Sequence, residues 1–155
     1  MQEAKLSQKD MMDLVMDVFD QQLPFNRFLG LNVHRDNFEK ATITLNWQDS
    51  LMGNPYQKIL HGGVTAAILD TVGGLMAMLY VAKDLDNLTA QEFNQRVGRI
   101  GTIDMRVDYL RPGKGEQFTA TAQMIRKGNK VAVCRMELHN EQNTHIAFGT
   151  ATYML

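Results

Sequence analysis

Hydrophobic positions near the N-terminus recur every three or four residues, a spacing that predicts an amphipathic helix. The apolar stripe consists of Met11, Leu14, Val15, Val18 and Phe19. Ser7 and Asp10 have the spacing of a capping box, so we expect the helix to begin there. It should end before Pro24, and the short turn that follows should close at Gly30.

A period of two replaces this pattern over residues 31–47, which predicts two half-buried strands with a turn near Asp36 and Asn37. Residues 48–60, which include Gly53 and Pro55, are expected to form a loop. Beyond Gly101 the chain alternates again and predicts four strands, over residues 102–110, 117–126, 131–139 and 145–155.

Between the strands lies an apolar helix over residues 61–82, followed by a short helix that a second capping box, Thr89 with Glu92, would begin and that ends near Val97. Residues 64–82 would be long enough to span a bilayer, with Asp70 as their single charge. A lone carboxylate near the middle of a span costs about 2.5–3.5 kcal/mol. No basic cluster or aromatic belt flanks the segment. We therefore predict a buried core helix and no membrane span.

These elements predict an α+β fold in which an antiparallel sheet wraps around one long apolar helix, with an extra N-terminal helix. Residues 1–155 should form a single domain, in which residues 1–23 are a helical extension. A helix that is apolar nearly all round needs cover on every side, and the sheet would have bare edges. Both features suggest an oligomer.

The composition is that of a globular protein, with 45% hydrophobic and 21% charged residues. Basic and acidic residues balance, 16 against 17, which argues against a nucleic-acid partner. The single cysteine, Cys134, excludes an internal disulfide and fits a reducing cytosol. The first ten residues contain no apolar run of the kind a signal peptide requires, so we expect a cytoplasmic protein.

Two features of the long helix carry chemistry. His61, Gly62 and Gly63 stand at its start, where free backbone N–H groups and the positive end of the helix suit an oxyanion or a phosphate. Small residues in a tight loop-to-helix turn are the structural alternative. Asp70 is a carboxylate in an apolar helix, so it should be either functional or held by hydrogen bonds.

The spacing of these features has a consequence for the site. Asp70 follows Gly62 by eight residues, which is about 12 Å of axial rise if the span is helical. One carbonyl group cannot be served by both residues of the same chain over that distance. If both act together, the site lies between two chains, with two equivalent sites in a two-fold dimer.

The run HGGVTAAILD (residues 61–70) resembles the HGG-x6-D signature of PaaI-like hotdog-fold acyl-CoA thioesterases. Residues 101–142, beginning with TIDMRVDYLRPG after Gly101, also resemble that family. The resemblance covers about residues 24–155 and is nearest to the YigI-type branch of medium- and long-chain acyl-CoA thioesterases. It implies a hotdog fold, assembled into homodimers and often homotetramers.

The resemblance also implies roles. Asp70 would be the nucleophile or general base, the Gly62 N–H would hold the oxyanion, and His61 would orient the loop or contact the thioester region. Thr102 stands where relatives carry a hydroxyl that positions water. Asn54 resembles the family's loop asparagine, but it lies one residue earlier than usual and Pro55 takes the usual position, so Gln57 is an alternative.

The function implied is hydrolysis of medium- or long-chain acyl-CoA to free acid and coenzyme A, without metal or cofactor. Two alternatives remain open: an acyl-CoA-binding protein without catalysis, and a hotdog hydratase or dehydratase. The latter chemistry needs a histidine beside the acid, and none accompanies Asp70 at helical spacing.

His34, His139 and His145 lack metal-ligand spacing. The residues expected to bind substrate are glycines that leave room beside the helix and cations at turns: Gly63, Gly73, Gly74, Arg111, Lys127 and Lys130.

Overall fold

The computed structural model of the protein describes residues 4–155. Its helices are α1 (Gln8–Asp17), α2 (Pro24–Leu29), α3 (Gly62–Lys83) and α4 (Ala90–Val97). Its strands are β1 (Leu31–Asn37), β2 (Lys40–Asn46), β3 (Met52–Asn54), β4 (Ile59–Leu60), β5 (Gly101–Tyr109), β6 (Gln117–Lys127), β7 (Val131–Asn140) and β8 (His145–Met154). Six strands form an antiparallel sheet in the order β1-β2-β6-β7-β8-β5, and β3 pairs with β4 alone.

Helix α3 forms the centre of the core, and the sheet wraps around it, as predicted. By length and composition α3 could cross a membrane, but it is the core helix of this fold. Leu69, Leu75 and Met76 on α3 are fully buried, and the sheet contributes fully buried residues from β2 and β6 such as Ile43 and Phe118. Burial of large apolar side chains stabilises a fold by about 1.5–3 kcal/mol each, so this contact holds the domain together.

The predicted helix signals near the N-terminus are confirmed. Ser7 and Asp10 form a capping box at the start of α1, and Gly30 ends α2 in the left-handed conformation with φ 73°. Between α1 and α2 the chain makes one π-helical turn, Val18–Gln22, and the Asn26 side chain donates to the Phe19 carbonyl across it at 2.9 Å. This buried bond holds the π-helical turn against α2.

Residues 48–60 are more ordered than the predicted loop. They contain a 3-10 turn, Asp49–Leu51, and the short β3–β4 hairpin, whose turn places Lys58 at φ 51°. Strands of three and two residues are too short to show an alternation in the sequence. The hairpin ends at Leu60, and the next residue, His61, is the N-cap of α3.

The two edges of the sheet differ. At the β1 edge the Val33 N–H donates to the Asp20 carboxylate at 3.1 Å, and Arg35 pairs with Asp13 and Asp17 of α1. The N-terminal helices therefore cover that edge. The other edge is β5, which runs alongside α3.

Candidate active site

Asp70 lies half-buried in α3, with one carboxylate oxygen bound by two hydroxyl groups. Its Oδ1 accepts hydrogen bonds from Thr102 Oγ1 at 2.9 Å and from the Tyr153 hydroxyl at 3.2 Å. Thr102 and Tyr153 are paired residues of the neighbouring strands β5 and β8. The family resemblance implied a water-positioning role for Thr102, and the structure places its hydroxyl on the Asp70 carboxylate.

A β-bulge turns Thr102 toward α3. The pairing of β5 with β8 skips Ile103, so that Thr102 lies opposite Tyr153 and Asp104 lies opposite Thr152. Side chains alternate across a strand, so the extra residue moves Thr102 to the helix-facing side. Ile103 is left pointing outward, with 56% of its surface exposed.

Sequence reasoning missed Tyr153. Only 1% of its surface is exposed, and its single hydroxyl proton is shared between the Asp70 Oδ1 and the Asp70 backbone carbonyl, which lies 3.0 Å from the hydroxyl oxygen. Burial, together with the neighbouring Asp70 carboxylate, raises the pKa of the Tyr153 hydroxyl, so it remains a proton donor. The sequence feature that could have indicated it is the alternation in β8, which puts Tyr153 on the same inward face as the buried Ala147 and Ala151.

A cavity of about 200 Å³ opens beside Asp70. Gly74 lines it from α3, and Phe19 and Leu23 line it from the N-terminal segment. Its other walls include the apolar Met78 and Ile100 and the polar Asn26 and Thr71. The carboxylate therefore faces a small space with an apolar part, which residues before α2 help to form.

His61 is the N-cap of α3, and its ring Nδ1 accepts the Gly63 N–H at 2.8 Å. The His61 N–H donates to the Leu51 carbonyl, also at 2.8 Å, which ties the cap to the preceding turn. Within residues 4–155 the Gly62 N–H makes no hydrogen bond. The cap thus occupies the N–H of Gly63, the second residue of the helix, and leaves the N–H of Gly62, the first, free to donate to an external acceptor.

Gly62 lies in a different cavity from Asp70. That cavity, of about 410 Å³, is also lined by Thr65, Tyr109 and Arg111. The Tyr109 hydroxyl donates to the Gly62 carbonyl at 2.7 Å. Within one chain, the amide and the carboxylate therefore face separate spaces.

Asn54 closes the β3–β4 turn in this chain. Its Oδ1 accepts the Tyr56 N–H at 3.0 Å, and its carbonyl accepts the Lys58 N–H at 2.9 Å. Gln57 is exposed in the same turn. Gly53, which sequence reasoning did not select, lets the hairpin approach the helix cap, because a Cβ there would lie 2.4 Å from His61 Cα. A contact this close requires glycine.

The two mid-helix glycines have different surroundings. A Cβ at Gly73 would lie 2.2 Å from the Tyr153 hydroxyl oxygen and 3.0 Å from Met136 Sδ. The Tyr153 side chain therefore fills the room that we expected for an acyl chain at this position. A Cβ at Gly74 would make ordinary contacts of 3.7 Å or more, and Gly74 lines the cavity beside Asp70.

The three predicted phosphate-binding cations lie in different settings. Arg111 lines the Gly62 cavity and a neighbouring one of about 640 Å³, which Trp47, Lys58 and Lys114 also line. Lys127 forms an ion pair with Asp84 at the end of α3. Lys130 lies in the β6–β7 turn, where its carbonyl accepts the Leu155 N–H at 2.9 Å.

His139 and His145, which lack metal-ligand spacing in the sequence, lie next to each other in the fold. Ligating atoms of Glu137, His139 and His145 lie within 4.8 Å of one another, a grouping that their sequence spacing did not indicate. The two rings are stacked, with centroids 4.4 Å apart and planes 9° from parallel. Because the nitrogen lone pairs lie in the ring planes, parallel rings cannot both point at one ion between them.

Cys134 is fully buried in β7, facing the core. Burial raises the pKa of its thiol to about 12. The thiolate is the nucleophilic form of cysteine, so this residue packs the core and cannot attack a substrate at neutral pH.

Comparison with known proteins gives consistent matches. The signature of the Thioesterase superfamily matches residues 57–147. The medium/long-chain acyl-CoA thioesterase YigI of Escherichia coli K12 is 47% identical over 152 residues, which cover 98% of each chain. A crystal structure of a Shewanella oneidensis protein related to the thioesterase superfamily is 54% identical, with a TM-score of 0.90 over 95% of this chain and 96% of that one. The E. coli PaaI protein, 20% identical with a TM-score of 0.74 over 96% of this chain and 95% of that one, shares the fold.

Proposed function

The chain belongs to the thioesterase superfamily, and on that basis we propose that it hydrolyses medium- or long-chain acyl-CoA to free acid and coenzyme A. The observation that carries the proposal is the Asp70 carboxylate, bound by Thr102 and Tyr153 and facing a partly apolar cavity. Two hydroxyl groups lie beside the carboxylate, where water would bind, and the adjoining cavity offers space for a hydrocarbon chain. The 47% identity to an acyl-CoA thioesterase supports the substrate class.

In the proposed reaction, water or the Asp70 carboxylate itself attacks the thioester carbon. In the first route Asp70 accepts the proton of the attacking water, and Thr102 positions that water. In the second route the carboxylate forms an acyl anhydride, which water then hydrolyses. In both routes the Gly62 N–H holds the developing oxyanion, the C–S bond breaks, and the departing thiolate of coenzyme A takes up a proton.

We propose that the complete site forms between two copies of the chain joined along β5. Thr102, at one end of β5, contacts Asp70, whereas Tyr109, at the other end, contacts Gly62. Antiparallel pairing of two β5 edges brings the Thr102 end of one chain beside the partner's Tyr109. Asp70 of one chain then approaches the Gly62 amide of the other. Two such dimers associating through another surface would give a tetramer.

The acyl chain would enter the cavity beside Asp70, between α3 and the N-terminal segment. Phe19 and Leu23 belong to residues 1–23, so that extension would be part of the single domain and would help to set chain length. Asp70, Thr102 and the Gly62 amide supply a proton acceptor, a water-binding group and an oxyanion donor. Hydrolysis by this set needs no cofactor besides acyl-CoA and water, and we propose that it takes place in the cytoplasm.

Purified protein is expected to hydrolyse acyl-CoA esters, with the highest kcat/KM for medium or long chains. The measurement is release of coenzyme A across a panel from acetyl- to palmitoyl-CoA, with phenylacetyl- and benzoyl-CoA included. Binding of acyl-CoA without turnover would favour an acyl-CoA-binding protein. Conversion of an enoyl-CoA to a hydroxyacyl-CoA would favour a hydratase. Either outcome contradicts the proposed hydrolysis.

Arg111→Ala is expected to raise KM for acyl-CoA about tenfold, because Arg111 lines both the Gly62 cavity and the larger neighbouring cavity and would bind a phosphate of coenzyme A there. The same variant should change kcat/KM little for an acyl-N-acetylcysteamine thioester, which has no phosphate. Lys40→Ala, an exposed charge at the start of β2, is the control. Equal losses on both substrates would contradict a phosphate contact.

A further inference from the structure

We propose that Tyr153 is a positioning residue for catalysis, which fixes the Asp70 carboxylate, and that Gly73 is required because it makes room for the Tyr153 hydroxyl. This inference rests on the proposed thioesterase function. It gives Gly73 a role different from substrate binding.

The hydrogen bonds to the Asp70 side chain both fall on one carboxylate oxygen. Thr102 and Tyr153 both donate to Oδ1, at 2.9 and 3.2 Å, and within the described chain no group donates to Oδ2. The Tyr153 hydroxyl also reaches the Asp70 backbone carbonyl at 3.0 Å, so it links the side chain to the helix that carries it. The carboxylate is thus held in one orientation, with Oδ2 left as the oxygen that attacks or accepts a proton.

Tyr153 can reach Asp70 only because position 73 has no side chain. Gly73 lies three residues after Asp70 and so lies on the same side of α3. A Cβ there would be 2.2 Å from the Tyr153 oxygen and 3.0 Å from its Cζ atom. Glycine inside a helix costs about 1 kcal/mol relative to alanine. The contact with Tyr153 gives a reason for glycine at this position.

The surroundings keep Tyr153 in its donor form and leave it little freedom. The side chain is buried, and burial raises the pKa of its hydroxyl. Met136 Sδ would also lie 3.0 Å from a Cβ at position 73, so the tyrosine ring and Met136 enclose Gly73 together. A Cβ at position 73 would therefore push the hydroxyl away from the place where it contacts Asp70.

The test is Tyr153→Phe, which removes the hydroxyl and keeps the ring. We expect kcat to fall about 10- to 100-fold while KM for acyl-CoA changes less than about twofold, because the hydroxyl bond to the Asp70 carboxylate is lost whereas the ring that lines the cavity is kept. Tyr80→Phe is the matched control and should keep full activity, because Tyr80 lies on α3 about 15 Å along the helix from Asp70. A purely structural role would lower the melting temperature and leave kcat of the folded protein unchanged.

Gly73→Ala should reproduce the loss in kcat, since its Cβ displaces the hydroxyl. In the double variant with Tyr153→Phe the losses should not multiply, because both changes remove the same bonds. An active wild type with an unchanged kcat in Tyr153→Phe, or with multiplying losses in the double variant, overturns this inference alone.

An inactive wild type overturns the proposed function instead. The Tyr153–Asp70 contact is then tested by unfolding in urea. Tyr153→Phe and Asp70→Ala should shift the free energy of unfolding non-additively, and additive shifts overturn the contact.

Discussion

Replacing Asp70 with asparagine is expected to lower kcat at least 100-fold and leave the fold intact. Asparagine has the same shape, and its Oδ1 can still accept the bonds from Thr102 and Tyr153. It lacks the second anionic oxygen that would accept a proton or attack the thioester. Loss of a general base or nucleophile lowers the rate by about 10²- to 10⁴-fold.

The measurement is kcat on the best acyl-CoA of the panel, with active protein quantified by acyl-CoA binding. Asp86→Asn, an exposed carboxylate beyond the end of α3, is the matched control and should keep wild-type turnover. Melting temperatures of wild type and Asp70→Asn should agree within a few degrees. Near-wild-type turnover of Asp70→Asn would show that the carboxylate takes no part in the reaction.

The elements around the site were predictable where the sequence pattern that indicates them, such as a helix cap followed by an apolar run, lies within a short stretch of the chain. Helix α3 begins at Gly62, within one residue of its predicted start, because His61 caps it and the apolar run follows at once. Asp70 was predictable because one charge in an apolar helix must find partners. The hairpin of β3 and β4 was not, because it contains too few residues to form a pattern.

The partners of Asp70 were harder to predict because they depend on tertiary pairing. Thr102 followed from the family resemblance, whereas simple alternation in β5 places it on the wrong side of the strand. The bulge at Ile103 corrects that placement, and it is visible only in the register with β8. Tyr153 lies 83 residues from Asp70 in sequence, and its meeting with Gly73 arises only when β8 packs on α3.

Gly62→Pro is expected to lower kcat about 10²- to 10³-fold, because proline removes the one N–H that would hold the oxyanion. Proline is tolerated at the first position of a helix. His61, with φ −60° and ψ 134°, already has a conformation compatible with a following proline. Gly62→Ala keeps the N–H, and its Cβ would meet Tyr109 at an ordinary 3.5 Å, so it should retain most activity.

A stronger prediction combines the two defects in one dimer. If each site uses Asp70 of one chain and the partner's Gly62, a heterodimer of an Asp70→Asn chain and a Gly62→Pro chain carries both defects in one site and none in the other. Differently tagged chains, co-expressed and purified through both tags, should then show about half of wild-type kcat. Each mutant homodimer should be nearly inactive.

The reciprocal heterodimer has one wild-type chain and one chain with both substitutions. If the site is shared between chains, each of the two sites in this dimer carries one of the two defects, so the dimer should be nearly inactive. A site contained within one chain gives the reverse pattern, in which the reciprocal dimer keeps half of the activity and the first heterodimer has almost none. Since both dimers contain the same two substitutions, a difference in stability cannot produce this exchange, and the activity ratio alone distinguishes a shared site from a site within one chain.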